Sequence, residues 1–144
     1  MHGLLDNLEI RYVGAAVAAA SNTDGNSSRI DMSAYESVLF VTTLTDSVAT
    51  GVATLKVEYN DADQDSGMAA VTGASATATS ATNDDLNATM LAVEVRNPPG
   101  RYVQAVRTSA TANIAFGEVI AILKPRRVPA AQGATVQDST YVSD

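Results

Sequence analysis

Apolar and polar positions alternate through the middle of the chain with a period of two, the signature of strands buried on one face. Thr54-Leu55-Lys56-Val57-Glu58-Tyr59 sets Leu55, Val57 and Tyr59 on one side and Lys56 and Glu58 on the other. Leu91-Ala92-Val93-Glu94-Val95-Arg96 repeats the arrangement, with Leu91, Val93 and Val95 inward. Val38-Leu39-Phe40-Val41-Thr42-Thr43-Leu44 is apolar on both faces, which predicts a strand covered on both sides. Arg101 to Thr108 and Ile114 to Leu123 are two more β-rich runs. Leu8-Glu9-Ile10-Arg11-Tyr12-Val13 alternates apolar and charged residues and reads as a short first strand. The alanine run that follows it, up to Ala20, reads either as a helical turn or as an extended arm lying on a neighbour.

The separators between these runs are turn chemistry. Ser21 to Ser28 is rich in Asn, Asp and Gly, which tolerate or supply positive φ. Asn60 to Gly67 closes one strand, and Asn97-Pro98-Pro99-Gly100 closes another because proline cannot donate to a ladder. Ser109 to Asn113 predicts a hairpin between the last two strands. Met68 to Thr82, all small residues apart from its first apolar positions, reads as an edge strand or a loop. Strands at this spacing predict a mainly β chain: a single antiparallel β-sandwich, jelly-roll-like, with extended arms at both ends. The expected divisions are an N-terminal arm and loop over 1–28, a β-sandwich body over 29–124, and a C-terminal extended arm over 125–144. That arm has no apolar period, yet Val136, Tyr141 and Val142 offer it some apolar grip.

Composition narrows the chemistry. The 144 residues include 25 Ala, 16 Val and 15 Thr against 2 Phe, 5 Tyr and no Trp, so the core must be built from small and β-branched side chains. There is no Cys, which excludes disulfides and thiolate chemistry, and the only histidine is His2, at a terminus where chains are commonly mobile. A positioned imidazole is thus close to ruled out, and a non-enzymatic protein without cofactors is expected. The net charge of −7 repels polyanions, which argues against nucleic acid as a partner. No run approaches the roughly 20 apolar residues of a membrane span. The first apolar run is short and follows Asp6, Glu9 and Arg11, which is not the cationic lead of a signal peptide.

Two groups of residues invite a functional reading. Asp61, Asp63 and Asp65 alternate as the ligands of a hard cation would, but an EF-hand loop needs Gly and Glu where Ser66 and Thr72 stand. A solvated turn is the preferred reading, so no metal is expected. Arg96, Arg101, Arg107, Arg126 and Arg127 crowd the second half of an acidic chain. Arg96 reads as a local cross-strand ion-pair partner. Arg126 and Arg127 read as part of an interface with an acidic protein, since Arg is favoured at interfaces.

The segments Tyr35-Glu36-Ser37-Val38-Leu39-Phe40-Val41 and Val93 to Val103 resemble a group of small tailed-phage structural proteins. The shared pattern is a Tyr-Glu-Ser-hydrophobic strand, then a Lys-Val-rich strand ending in an acidic turn, here Leu55 to Asp61. A hydrophobic-Glu-Val-x-Arg-Pro element ahead of an Arg-Tyr-Val strand follows, and Gly117 to Ile122 with Lys124-Pro125-Arg126 resembles the last element. The likeness covers about residues 30 to 130. It departs at Arg96-Asn97-Pro98-Pro99-Gly100-Arg101-Tyr102, one residue longer than the family's Arg-Pro-Thr-Lys-Arg-Tyr. The resemblance implies a head decoration (cement) protein, made in the host cytoplasm and placed on the outer capsid surface of the virion. Its partners would be the major capsid protein at capsomer junctions and further copies of itself, a trimer being favoured. Contact candidates are Arg101, Tyr102, Lys124, Arg126, Arg127, Val136, Tyr141 and Val142. Two alternatives stand beside it: another virion component, such as a head fibre base, neck or tail protein, and a secreted Ca²⁺- or carbohydrate-binding β-sandwich.

Overall fold

Strands pair across widening stretches of sequence, and the pairs nest inside one another. The computed structural model describes residues 3–143, so His2 lies outside the described residues. A single helical turn, α1 (Leu4–Asn7), precedes ten strands. They are β1 (Glu9–Gly14), β2 (Val17–Ala20), β3 (Asp24–Asn26), β4 (Ile30–Asp31) and β5 (Tyr35–Ser47), then β6 (Val52–Asn60), β7 (Ala69–Thr79), β8 (Thr89–Arg96), β9 (Tyr102–Ala110) and β10 (Ile114–Pro125). One sheet runs β1-β10-β5-β8 with β2 also on β10, and the other runs β3-β9-β6-β7 with β4 also on β9. All pairings are antiparallel. β6 with β7 is the innermost pair, enclosed by β5 with β8, then β3 and β4 with β9, then β1 and β2 with β10. This is one long folded hairpin wrapped into two sheets, the topology of a jelly roll.

Period-two strands pack where their pattern directs. Leu55 and Val57 of β6 are fully buried, and Leu91, Val93 and Val95 of β8 face the same core. Phe40, Phe116, Ile30, Leu44, Leu55, Ile114 and Leu123 are its largest enclosed side chains, with Ala53, Ala105 and Ala121 filling the narrow gaps. The Met68–Thr82 stretch resolves into edge strand β7. Its register jumps from Ser75 opposite Lys56 to Ala70 opposite Glu58, and Gly73 takes φ +79° inside that bulge. Bulged edges are poor templates for further strands.

Four expectations change. Glu9 to Asn26 is no arm: β1 and β2 pair with β10, and β3 with β9, so the N-terminal segment completes both sheets. The alternation in β1 runs opposite to its apolar residues. Glu9 is buried, whereas Ile10 and Tyr12 lie outward, because Glu9 is held by Arg11 and by the Tyr35 hydroxyl, which donates to it. Ser109 to Asn113 is not a hairpin, since β9 and β10 belong to different sheets. Both are central strands with neighbours on each side, and Thr111 at φ +71° turns the chain across the sandwich. Finally, Leu39 and Val41 on the outer face of β5 are only half-buried.

The C-terminal segment beyond Pro125 has no strand and lies along the free edge of β1 of its own body. Ala130 N–H donates to Asp6 O at 2.6 Å. Gln132 Oε1 accepts from Ile10 N–H at 2.9 Å, and Thr135 Oγ1 from Tyr12 N–H at 3.2 Å. Side chains thereby satisfy the edge without extending the ladder, a protected edge in the sense of negative selection against strand addition.

Candidate interaction surfaces

Strand ends bring most of the cations to one pole. The starts of β1, β5, β7 and β9 and the ends of β4, β6, β8 and β10 all fall at one pole of the sandwich. Arg96 and Arg101, at the two ends of the β8–β9 turn, and Lys124, Arg126 and Arg127, at the end of β10, therefore come together there from two separate stretches of sequence. The opposite pole carries the loops after β2, β5, β7 and β9, which hold Asp84 and Asp85 and no Lys or Arg, with Asp24 and Asp46 at the adjoining strand ends. Asp85 caps its own loop, accepting from Ser80 Oγ at 2.6 Å and from Ala81 N–H at 2.8 Å. The Ser80 bond above all, with the Ala81 N–H, holds its carboxyl below the ordinary range.

At the basic pole the cations differ in how far they are already engaged. Arg101 grips Asp31 with both ends of its fork, Nε at 3.0 Å and Nη2 at 2.8 Å, and its guanidinium lies 5.3 Å from the Tyr102 ring centroid. That bidentate bond, backed by the Ser33 N–H at 3.0 Å, holds Asp31 far below the usual carboxylate range and raises Arg101 in turn. Arg96 Nε and Lys124 Nζ share Glu36, at 3.1 and 3.5 Å. Arg126 and Arg127 form no ion pair among the described residues. Two clefts flank them. One, of about 350 Å³, lies between the Asn97–Gly100 turn, Met32, Arg101 and Arg126. The other, of about 460 Å³, is walled by Tyr35, Pro125, Arg127 and Pro129 with Glu9 at its side. The Asn97–Gly100 turn thus lines the basic groove.

The β6–β7 loop, with Asp61, Asp63 and Asp65, lies at this same pole, since it joins the end of β6 to the start of β7. Arg29 pairs with Asp63 at 2.7 Å and also with Asp65, drawing the β6–β7 loop across β9. The Asp63 bond first, then Asp65, raises Arg29. Asp61 sits apart, on the basic groove, and no three metal-ligating side chains gather among the described residues. Val136 is half-buried, Tyr141 rests its ring on Gly3, and Val142 is 75% exposed. No helix among the described residues is long and apolar enough to cross a membrane.

Two buried polar groups escaped the sequence reading. Arg107 is enclosed between the sheets, its Nη1 donating to Ala15 O at 2.6 Å and Gly117 O at 2.8 Å, and burial lowers its pKa. It ties the break between β1 and β2 to the bulge in β10. The Glu9–Arg11–Tyr35 cluster is the second, with Arg11 Nη2 at 2.8 Å from Glu9 and 3.0 Å from the Tyr35 hydroxyl. Charged residues at alternating positions of β1 were its only visible signal.

No protein-family model and no curated protein sequence matches the chain. Among solved structures it is similar to the PBSX exported protein XepA, with TM-score 0.54 and 13% identity over 100% of this chain and 46% of that one. The chain thus spans less than half of that protein's length. It is less similar to the Eiger TNF from S. frugiperda (TM-score 0.46, 9% identity, 95% of this chain and 99% of that one). A chain of the infectious bursal disease virus Gx strain structure stands lower still (TM-score 0.43, 9% identity, 82% of this chain and 32% of that one). The likeness to XepA is one of fold alone.

Proposed function

We propose that the chain is a non-enzymatic virion structural protein that decorates and stabilises a phage capsid from outside. Its basic pole docks on an acidic surface of the major capsid protein at capsomer junctions. The observation that carries this reading is the gathering of Arg101, Arg126 and Arg127 at one end of an acidic body, with Arg126 and Arg127 free to meet an external carboxylate. The sandwich fold and the virion resemblance of residues 30 to 130 support it. In this reading the chain acts as a homo-oligomer without cofactors, nucleic acid or membrane. Each copy binds modestly, and linked copies on a repeating lattice raise the effective affinity.

The test is reconstitution on purified heads that lack the protein. Arg126→Glu/Arg127→Glu is expected to lower occupancy more than tenfold at low salt while leaving the melting temperature unchanged. Binding by the parent should weaken as ionic strength rises through the physiological range. Undiminished binding of the double variant would remove the basic pole from the interface. Imaging whole virions separates the other virion roles: hundreds of copies at capsomer junctions support decoration, whereas density only at the portal vertex or tail assigns a neck or tail protein.

A further inference from the structure

Antiparallel sheets that face water carry polar residues outward, and the β3-β9-β6-β7 sheet does so with Thr54, Lys56, Glu58 and Thr77. The β1-β10-β5-β8 sheet does not. Its outward residues align across the strands into two rungs, Ile10–Ile122–Leu39–Glu94 and Tyr12–Ile120–Val41–Ala92. Ile10 and Tyr12 are 38% and 45% exposed. Beside them Leu4, Leu5 and Leu8 form with Ile10 and Ile122 an apolar notch of about 120 Å³. Lys124 and Arg96 stand at one end of this face, and Glu118 and Met90 at the other.

We infer that the outer face of the β1-β10-β5-β8 sheet is a two-fold docking surface for a second copy of this chain. The charge pattern selects both the occupant and the axis. A two-fold axis in the plane of the face and perpendicular to the strands lays β10 antiparallel across β10 of the second copy. Lys124 then stands over Glu118 of that copy, about 20 Å away along its own strand. Ile122 meets Ile120, Leu39 meets Val41, and Tyr12 of one copy comes over the Ile10 notch of the other, an aromatic anchor against a pocket. The other in-plane axis, along the strands, would lay β10 over β5 of the second copy and set Lys124 over Ser37, which leaves the Lys124–Glu118 pair unmade. Such an isologous contact closes on itself. Four strands about 4.8 Å apart, and about 20 Å along β10 from Lys124 to Glu118, give a face of about 20 by 20 Å. That is roughly half of the standard 800 Å² per partner, so the pairing is reversible rather than permanent.

The pairing deepens the self-association in the proposed function and does not depend on capsid attachment. Sedimentation velocity on the full chain, from low-micromolar to near-millimolar concentration, should show the mass rising from one chain toward two. Ile122→Glu should stay monomeric throughout, with an unchanged circular dichroism spectrum, since Ile122 is not in the core. If that variant fails to fold, Lys124→Glu and Glu118→Lys carry the test. Each alone should weaken association roughly fivefold or more, because the symmetry repeats the pair, and the double exchange should restore it. A chain monomeric at every concentration, association indifferent to Ile122→Glu, or a limiting mass of three chains would overturn the assignment. A parent chain that stays monomeric, with an Ile122→Glu variant that no longer binds heads, would assign the face to the capsid protein instead. Head binding by a monomeric Ile122→Glu would leave capsid attachment intact while confirming the pairing face.

Discussion

Tyr35→Phe removes one oxygen from the protein and nothing else. In the folded chain that hydroxyl donates to the Glu9 carboxylate and accepts from Arg11 Nη2 at 3.0 Å. Glu9 is 6% exposed, so the lost donor is not readily replaced by water, and its remaining partner is Arg11 through Nε and Nη2 at 3.1 and 2.8 Å. A hydrogen bond to a charged group is worth about 1.5–3 kcal/mol. Arg11 is partly exposed and recovers its own loss from solvent. The net cost should be about 2 kcal/mol, since no cavity opens and no backbone moves. Urea unfolding followed by circular dichroism should show the midpoint falling by about 1 M with the slope unchanged. The same bond leaves an alkaline signature. Burial first, and then the Glu9 acceptor, raise the Tyr35 hydroxyl above its unfolded value of 10.0. The folded chain therefore keeps that proton after the unfolded chain has lost it, and this share of stability is present below pH 10 and disappears as pH climbs through the folded value. The parent should lose stability above pH 10 more steeply than Tyr35→Phe. A loss under about 0.5 kcal/mol with parallel alkaline limbs would refute the reasoning, because a hydroxyl bonded to a buried carboxylate cannot be that cheap to remove.

Acid should act through Asp31. Its pKa is depressed by Arg101, so its stabilising share is present above about pH 4 and is lost as pH falls through and below the ordinary aspartate range; Asp31→Asn should flatten that limb in a pH series of melting temperatures. Gly100→Ala should cost about 1–3 kcal/mol, because a Cβ there meets Asn60 O at 3.0 Å and the Tyr59 ring at 2.7 Å; thermal unfolding unchanged within a degree would contradict the packing. Truncation after Arg127 should bare the β1 edge that Gln132 and Thr135 cover, and light scattering should show faster aggregation of the shortened chain near its melting point.

The local pattern carried the strands and most of their facing. Alternation in Thr54–Tyr59 and Leu91–Arg96 follows from the pleat, which sends neighbouring side chains to opposite sides whatever the strand pairs with. The small, β-branched composition likewise implied a sheet core of Val and Ala, and the absence of Cys settled that no disulfide staples it. Where alternation met charge it misled: Glu9 goes inward because Tyr35, 26 residues away, supplies its hydrogen bond. Nothing local in β1 announces that partner.

Pairing was decided only by the tertiary structure. A period of two says which face is buried but not which strand lies alongside, and loop-closure entropy grows too slowly with length to favour the nearest candidate. Thus Ser109–Asn113 looked like a hairpin but crosses between sheets, and the N-terminal segment joined β10, the far end of the chain. The same nesting decided the surfaces. Arg101 and Arg126, scattered in sequence, share a groove because β9 begins where β10 ends. Leu39, Ile122 and Ile10 were legible as apolar residues in strands. That they stand in one rung facing water depends on the register of three strands brought from opposite ends of the chain, which only packing of the whole core can set.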